Sequence, residues 1–393
     1  MSQMRRALVL SATLAACAAT AAHAQGMRAI WGLSPTNIWA VGDGGAALHF
    51  DGQAWTRVAF GLPVTNTFFT VWGSGPNDVF VGGDALILHW NGQAWSEMRL
   101  PTERAIVGLA GRSATQVYAL AQSYSDREAP TLLTWNGRAW TAAPLPMPFR
   151  ANALALSGAS VLVAGFAMND PTPNQRRTYG VLARRLGPRW TMAGWNGRLV
   201  TDRVVAGAGW SSVSASGTAI LLLGEDDEGS RMVALSRRAA FTLLPRITER
   251  VVSAFLGSDG VPVAVLEGGL ARFSAGAWAM AGPSSPSGPN AQMVQAIAQN
   301  PMAYAAQTAA WGDLASTLAA WGSSTDFYAV TETGRIIRVQ AATAQIVYDP
   351  SCVANPQMAA MNPVCQALQQ TGAAVPQAPR PALPMPSIRV KRP

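Results

Sequence analysis

The sequence predicts an all-β fold, a β-propeller of about seven four-stranded blades with a short helical insertion before the last blade. Three observations predict it. Two separate motifs recur in register at a period of about 40 residues, the spacing expected of four-stranded blades. Asp-Gly and Asn-Gly pairs fall between apolar runs at a fixed place in the clearest units, as hairpin connections require. The composition holds 37 glycines, 26 prolines and 14 tryptophans but only 13% charged residues, a balance suited to many short strands joined by turns.

The first two units align residue by residue. Ile30-Trp31-Gly32 and Asn37-Ile38-Trp39-Ala40-Val41-Gly42 match Val71-Trp72-Gly73 and Asp78-Val79-Phe80-Val81-Gly82-Gly83. Further on, Leu48-His49-Phe50-Asp51-Gly52-Gln53-Ala54-Trp55 matches Leu88-His89-Trp90-Asn91-Gly92-Gln93-Ala94-Trp95. Weaker copies follow: Trp135-Asn136-Gly137-Arg138-Ala139-Trp140 closes a third unit, and Val161-Leu162-Val163-Ala164-Gly165 to Trp190 forms a fourth. Ile220-Leu221-Leu222-Leu223-Gly224 marks the fifth, Ala275-Gly276-Ala277-Trp278 ends the sixth, and Trp321-Gly322 with Asp326-Phe327-Tyr328-Ala329-Val330 opens the seventh.

Each unit parses into four strands. The inner one (Phe69 to Trp72 in the second unit) leads through a Gly/Pro/Asn turn into a very apolar second strand, buried on both faces between neighbouring blades. A third strand (Leu86 to Trp90), an Asn-Gly turn and an outer strand opening at the closing tryptophan complete it. The blades occupy residues 27–350. Within them residues 282–315 read as a loop and helical insertion, with Asn290 and Asn300 as N-caps and Pro301 at a first helical position. The competing reading is a degraded blade, which would raise the count to eight.

These motifs resemble the Trp-Gly…Asp-Val-Trp/Phe…Leu-His-Trp-Asp-Gly-x-x-Trp repeats of exported bacterial β-propeller proteins. The resemblance implies the fold and export, and it carries no catalytic residue across. The Gly-His…Trp-Asp pairing of WD40 repeats and the Ser-x-Asp-x-Gly-x-x-Trp box of sialidases are both missing from the sequence.

Residues 1–24 read as an export signal. Arg5 and Arg6 precede an uncharged apolar stretch, and Ala22-His23-Ala24 is a small-x-small cleavage site that leaves Gln25 at the mature N-terminus. Leu14-Ala15-Ala16-Cys17 also resembles a lipobox, in which Cys17 would be lipidated and anchor the protein to the outer membrane. The protein is therefore expected in the periplasm or outside the cell. In such a compartment Cys352 and Cys365 are expected to pair, closing residues 351–371 into a C-terminal segment. Residues 372–393 are Pro-rich and basic, and read as a disordered, solvated tail or a partner-binding peptide.

The formal net charge of +8 invites a nucleic-acid reading, but the 29 lysines and arginines are spread thinly, as in Arg184–Arg185 and Arg237–Arg238. No nucleic-acid partner is expected. His49 and His89 occupy equivalent repeat positions, and so do Asn37, Asp78 and Asp326. They read as blade framework rather than metal ligands, the short polar groups holding the turn through backbone N–H groups. No metal, cofactor or catalytic residue is assigned.

Function is expected where the repeat is broken. Three successive units carry charged insertions between their second and third strands, at residues 122–130, 168–178 and 225–230. The candidate binding residues are Asp126, Arg127 and Glu128; Asp170, Arg176 and Arg177; and Glu225, Asp226, Asp227 and Glu228. The leading expectation is a monomeric, non-catalytic extracytoplasmic binding or scaffold protein that recognises a protein or glycan through loops on one face. The alternatives are a secreted carbohydrate-active hydrolase or lyase working at the central channel, and a lipid-anchored envelope assembly factor.

Overall fold

The computed structural model describes residues 26–122, 128–169, 177–193, 209–225, 231–236, 241–282, 301–341, 343–354 and 362–370. Both alternative leaders, Cys17 and the Pro-rich tail lie outside them. Among these residues, twenty-eight strands form seven four-stranded antiparallel sheets, each built from four consecutive strands. They are the blades, at residues 27–57, 68–97, 105–144, 150–193, 210–243, 251–281 and 317–348. The eight-blade reading is excluded. The first blade pairs its inner strand β1 (Met27–Ser34) with β2 (Asn37–Gly42), then β3 (Ala47–Phe50), then β4 (Trp55–Arg57).

Among the described residues the core divides into seven apolar clusters, one at each blade interface. The second strands of both adjoining blades contribute to each, because they are flanked by a neighbouring blade on both faces; Val79, Phe80 and Val81 are all fully buried. The Trp-Gly repeat has a packing cause. The tryptophan of each Trp-Gly pair leans onto the glycine of the next blade, so a β-carbon on Gly73 would lie 3.1 Å from the Trp31 indole, and Trp72 covers Gly111 in the same way.

Ring closure needs no shared strand. Trp321 of the last blade covers Gly32 of the first, where a β-carbon would fall 2.6 Å from the indole. One apolar cluster joins Ile30, Ile38 and Trp55 to Tyr328, Val330 and Tyr348.

The connection between third and outer strands differs from expectation. Asn91-Gly92 is not a two-residue hairpin turn but the start of a four-residue loop, closed by the Asn91 side-chain oxygen accepting the N–H groups of Gln93 and Ala94, each at 2.9 Å. Asp51 and Asn136 do the same. Gly92 sits at φ +89°, and a β-carbon there would strike Asn77 in the other turn of the blade, so both conformation and space demand glycine. A paired aromatic on each strand (Trp90 with Trp95, centroids 5.7 Å apart) clamps this hairpin.

The expected insertion contains helix α1 (Pro301–Asp313), which begins at the proline foreseen for its first turn. Residues 291–299 lie outside the described residues. Two further helices, α2 (Pro350–Ala354) and α3 (Pro363–Gln370), follow the last blade. Ala310 and Trp311 of α1 and Leu368 of α3 are buried in the cluster that also joins blades six and seven. The Cys352–Cys365 disulfide ties α2 to α3. Arg335 locks the cap to the blade, bonding Asp313 at 2.6 Å and the buried Asp349 at 2.9 Å. Among the described residues no helix is long and apolar enough to cross a membrane.

Candidate functional site

An antiparallel four-strand meander sends its first and third connections to one face of the ring, and its second connection and inter-blade link to the other. The strand ends that flank the three irregular insertions all belong to second connections and therefore share a face. Of the residues predicted there, Asp126, Arg127, Asp170, Arg176, Asp226, Asp227 and Glu228 lie outside the described residues. Glu128 is tethered, its carboxylate accepting from Arg104 at 2.8 Å. Arg177 starts the third strand of blade four, where it pairs in register with Asn169; residues 168–178 are thus partly a hairpin extension rather than a loop. Glu225 is exposed at the end of the second strand of blade five, opposite Arg231 in register.

The same face carries a feature the repeat did not reveal. In every blade the inner strand has a β-bulge near its start, where the register skips one residue: Arg28, Phe69, Val107, Asn152, Ser211, Val252 and Leu318. The residue before each bulge is buried: Met27, Phe68, Ile106, Ala151, Trp210, Val251 and Thr317. Because the inner strand is the edge lining the central channel, the bulges form a ring at its mouth. Neighbouring bulges meet across blades: the Arg28 guanidinium lies 6.0 Å from the Phe69 ring centroid, and Asn152 Nδ2 donates to the carbonyl of Trp210, the residue before the blade-five bulge, at 3.0 Å. Backbone geometry is constant around this ring while side-chain chemistry varies. Leu318 is 42% exposed there. A register skip leaves no fixed residue type in a sequence, which is why the repeat alignment missed it.

On the opposite face the framework residues pair as a set. Asn37, Asp78 and Asp326 do not chiefly hold backbone N–H groups, as expected from their turn positions; they reach across to the third strand. His89 Nε2 lies 2.7 Å from Asp78 with its ring stacked 4.4 Å from Phe80, and His49 bonds Asn37 at 3.2 Å while lying 4.2 Å from Trp39. Arg338 grips both Asp326 oxygens at 3.0 and 2.8 Å beneath the aromatic shelf of Tyr328. Bonding to Arg338 holds the Asp326 carboxyl below the usual carboxylate range, and burial pulls the His49 imidazole below its ordinary value. Ser74 also donates to Asp78, so this Ser–Asp–His set has its hydroxyl on the carboxylate rather than on the imidazole. That order braces a turn and does not activate a nucleophile.

Between blades two and three lies a cleft of about 660 Å³, lined by His89, Glu97, Met98, Arg99, Arg138 and Trp135 among others. Asp349 lies near Cys352 and Cys365, but the two thiols are joined and Asp349 is bonded to Arg335 and Ser351, so the three are not arranged as metal ligands.

No protein-family model matches the sequence, and no curated protein matches it. Solved structures do. One described as YCF48 bound to D1 peptide superposes with a TM-score of 0.55 at 11% identity, over 81% of this chain and 92% of the other. YCF48 from Cyanidioschyzon merolae gives 0.51 at 14% identity, over 80% and 96%. The extracellular domain of a one-component system from B. thetaiotaomicron gives 0.52 at 11% identity, over 81% of this chain but 38% of its own. The fold is shared and the sequence is not.

Proposed function

We propose that this chain is a non-catalytic, exported binding or scaffold protein that captures a protein partner at the channel mouth and the adjoining insertions of blades three to five. The ring of bulges carries the reading: a constant backbone presenting six residue types at seven positions is what a rigid recognition surface needs. Two apolar arcs, Phe69 with Val107 and Val252 with Leu318, separated by Arg28 on one side and by Asn152 and Ser211 on the other, suit apolar anchors with flanking polar contacts. Support for a protein partner comes from the fold neighbour held with a peptide. Support for an exported location comes from the leader and from the extracellular bacterial neighbour.

The test is a pull-down from the envelope fraction with paired variants. Leu318→Asp with Phe69→Ser, and separately the three insertions replaced by short Gly-containing turns, should each lose the captured partner while leaving the unfolding midpoint near that of the native protein. Retention of the same partner by both variants overturns the reading. A second ligand class, a glycan, is favoured by the cleft beside Trp135 and Trp140. A glycan panel separates its two forms, because retention without product release marks a binder and turnover marks a hydrolase or lyase.

A further inference from the structure

We infer that the turn face of blades three and four, opposite the channel mouth just described, is a second binding surface, built for an acidic peptide segment and centred on Arg112 and Arg184. The repeat supplies the internal comparison. In blade seven the third-strand Arg338, in register with Tyr328, is neutralised by Asp326 at the start of the second strand. In blade two His89 has Asp78 in the same place. Arg184 occupies this position in blade four, in register with Leu162, but the second strand there starts with Ser160. The arginine holds the same place, but a neutral hydroxyl stands where blades two and seven have a carboxylate.

A second guanidinium converges on the same serine. Arg184 Nε donates to Ser160 Oγ at 2.8 Å, and Arg112 Nη2, from blade three, donates to the carbonyls of Ser160 at 3.2 Å and Gly158 at 2.9 Å. Ser160 is 1% exposed, whereas Arg112 and Arg184 are exposed. The third-to-outer hairpins of these two blades add Arg138 in the blade-three loop, and Arg185 and Arg189 at the strand ends of blade four. Residues 112–116, 136–139, 157–160 and 184–189, which make all four turns, contain no Asp or Glu. The corresponding turns of blades one, two, six and seven hold Asp51, Asp78, Asp259 and Asp326. Charge on this face is therefore segregated around the ring. Among the described residues none of the five arginines meets a carboxylate within ion-pair distance. Glu97 shares the neighbouring cleft with Arg138, which makes that arginine a rim residue and leaves Arg112 and Arg184 at the centre.

Like charges brought together without a counter-ion repel, and a fork of guanidinium donors matches a carboxylate bidentately. Blade seven shows the completed pair within this molecule. An Asp or Glu side chain from a partner, set beside Ser160, would make in blade four the contact that Asp326 makes in blade seven, and its neighbours in an acidic segment would meet Arg185 and Arg189.

The probe is a fluorescent peptide of alternating Asp and Gly, titrated against the mature protein by anisotropy at two salt concentrations. Binding should weaken at higher salt and should vanish for the Asn-Gly version of the peptide. Arg184→Gln should weaken it at least tenfold, as should Ser160→Asp, which installs the internal counter-ion that blades two and seven tolerate. Leu318→Asp at the channel mouth should leave it unchanged, so this surface and the proposed function fail separately. Binding by the Ser160→Asp and Arg184→Gln variants as tight as that of the native protein overturns the inference. So does tighter, Arg184-dependent binding of inorganic phosphate or single-stranded DNA, which would reassign the surface to phosphate.

Discussion

Gly32 and Trp321 sit in different blades and hold the ring shut between them, the glycine leaving the room that the indole fills. Gly32→Ala should therefore cost roughly 1–3 kcal/mol through overpacking, read as a lower urea midpoint at unchanged m-value. Trp321→Phe should recover part of that loss, and additive effects of the two changes would show that they do not interlock. His49 gives a pH prediction. Burial depresses its folded-state pKa below the unfolded value of about 6.5, so the unfolded chain takes up the proton more readily. Its contribution to stability is present above about pH 6.5 and is lost as pH falls towards the depressed folded value. His49→Gln, which keeps a donor for Asn37, should flatten the decline in melting temperature between about pH 7 and 5. Parallel profiles for the two proteins would exclude His49 as the cause. Asp326 acts in a lower window. Its folded pKa is also depressed, so its contribution is lost only once pH falls below the ordinary carboxylate range.

At the scale of elements, the loops between third and outer strands explain which residues recur. Asp51, Asn91 and Asn136 each accept two backbone N–H groups, and the following glycine takes a positive φ. Blade six departs from this with a two-residue turn, Ala275-Gly276, in which Ala275 is forced to φ +50°. L-residues pay about 1–2 kcal/mol for that conformation, and asparagine tolerates it better, so Ala275→Asn should raise the melting temperature. A lower melting temperature would mean that the alanine methyl is needed for packing. The helical cap offers another test. Closing a 13-residue separation, the Cys352–Cys365 disulfide should contribute about 3 kcal/mol by restricting the unfolded chain. Reductant, or Cys352→Ala with Cys365→Ala, should lower the urea midpoint accordingly, and an unchanged midpoint would show that α1 and α3 hold without it. The cap also covers the six-residue outer strand of blade seven (Thr343–Tyr348), whereas the outer strands of blades one, two and five end after three residues. Both devices limit exposed sheet edge.

The whole molecule is a ring closed by side-chain packing, since each blade uses only consecutive strands. Truncating Trp321 to Ala removes a half-buried indole at that closure. The loss should fall at or below the low end of the roughly 3–5 kcal/mol typical of a buried Trp→Ala change. Blade count and strand order were legible in the sequence because a blade repeats the same packing problem at each step, and the same solutions recur: Trp31-Gly32 with Trp72-Gly73, His49 with His89. The middle blades were harder to read because Ala110 and Ala155 pack where Trp31 and Trp72 do elsewhere, and small side chains leave no conspicuous mark. The candidate sites were legible only in part. The insertions of blades three to five stand out as interruptions, but a bulge alters hydrogen-bond register without altering residue type.

The sequence alone determined the repeat, its period, the apolar second strands and the cysteine pair, because these follow from local alternation, turn chemistry and the count of thiols. Tertiary structure decided what those residues do to one another. It set the histidines against Asn37 and Asp78, aligned seven bulges around one channel mouth, and brought Arg112 of one blade onto Ser160 of the next. The reason is the ring itself. Neighbouring blades meet through residues about 40 positions apart, and only the closed ring shows which charges lie on the same face and which have lost a partner.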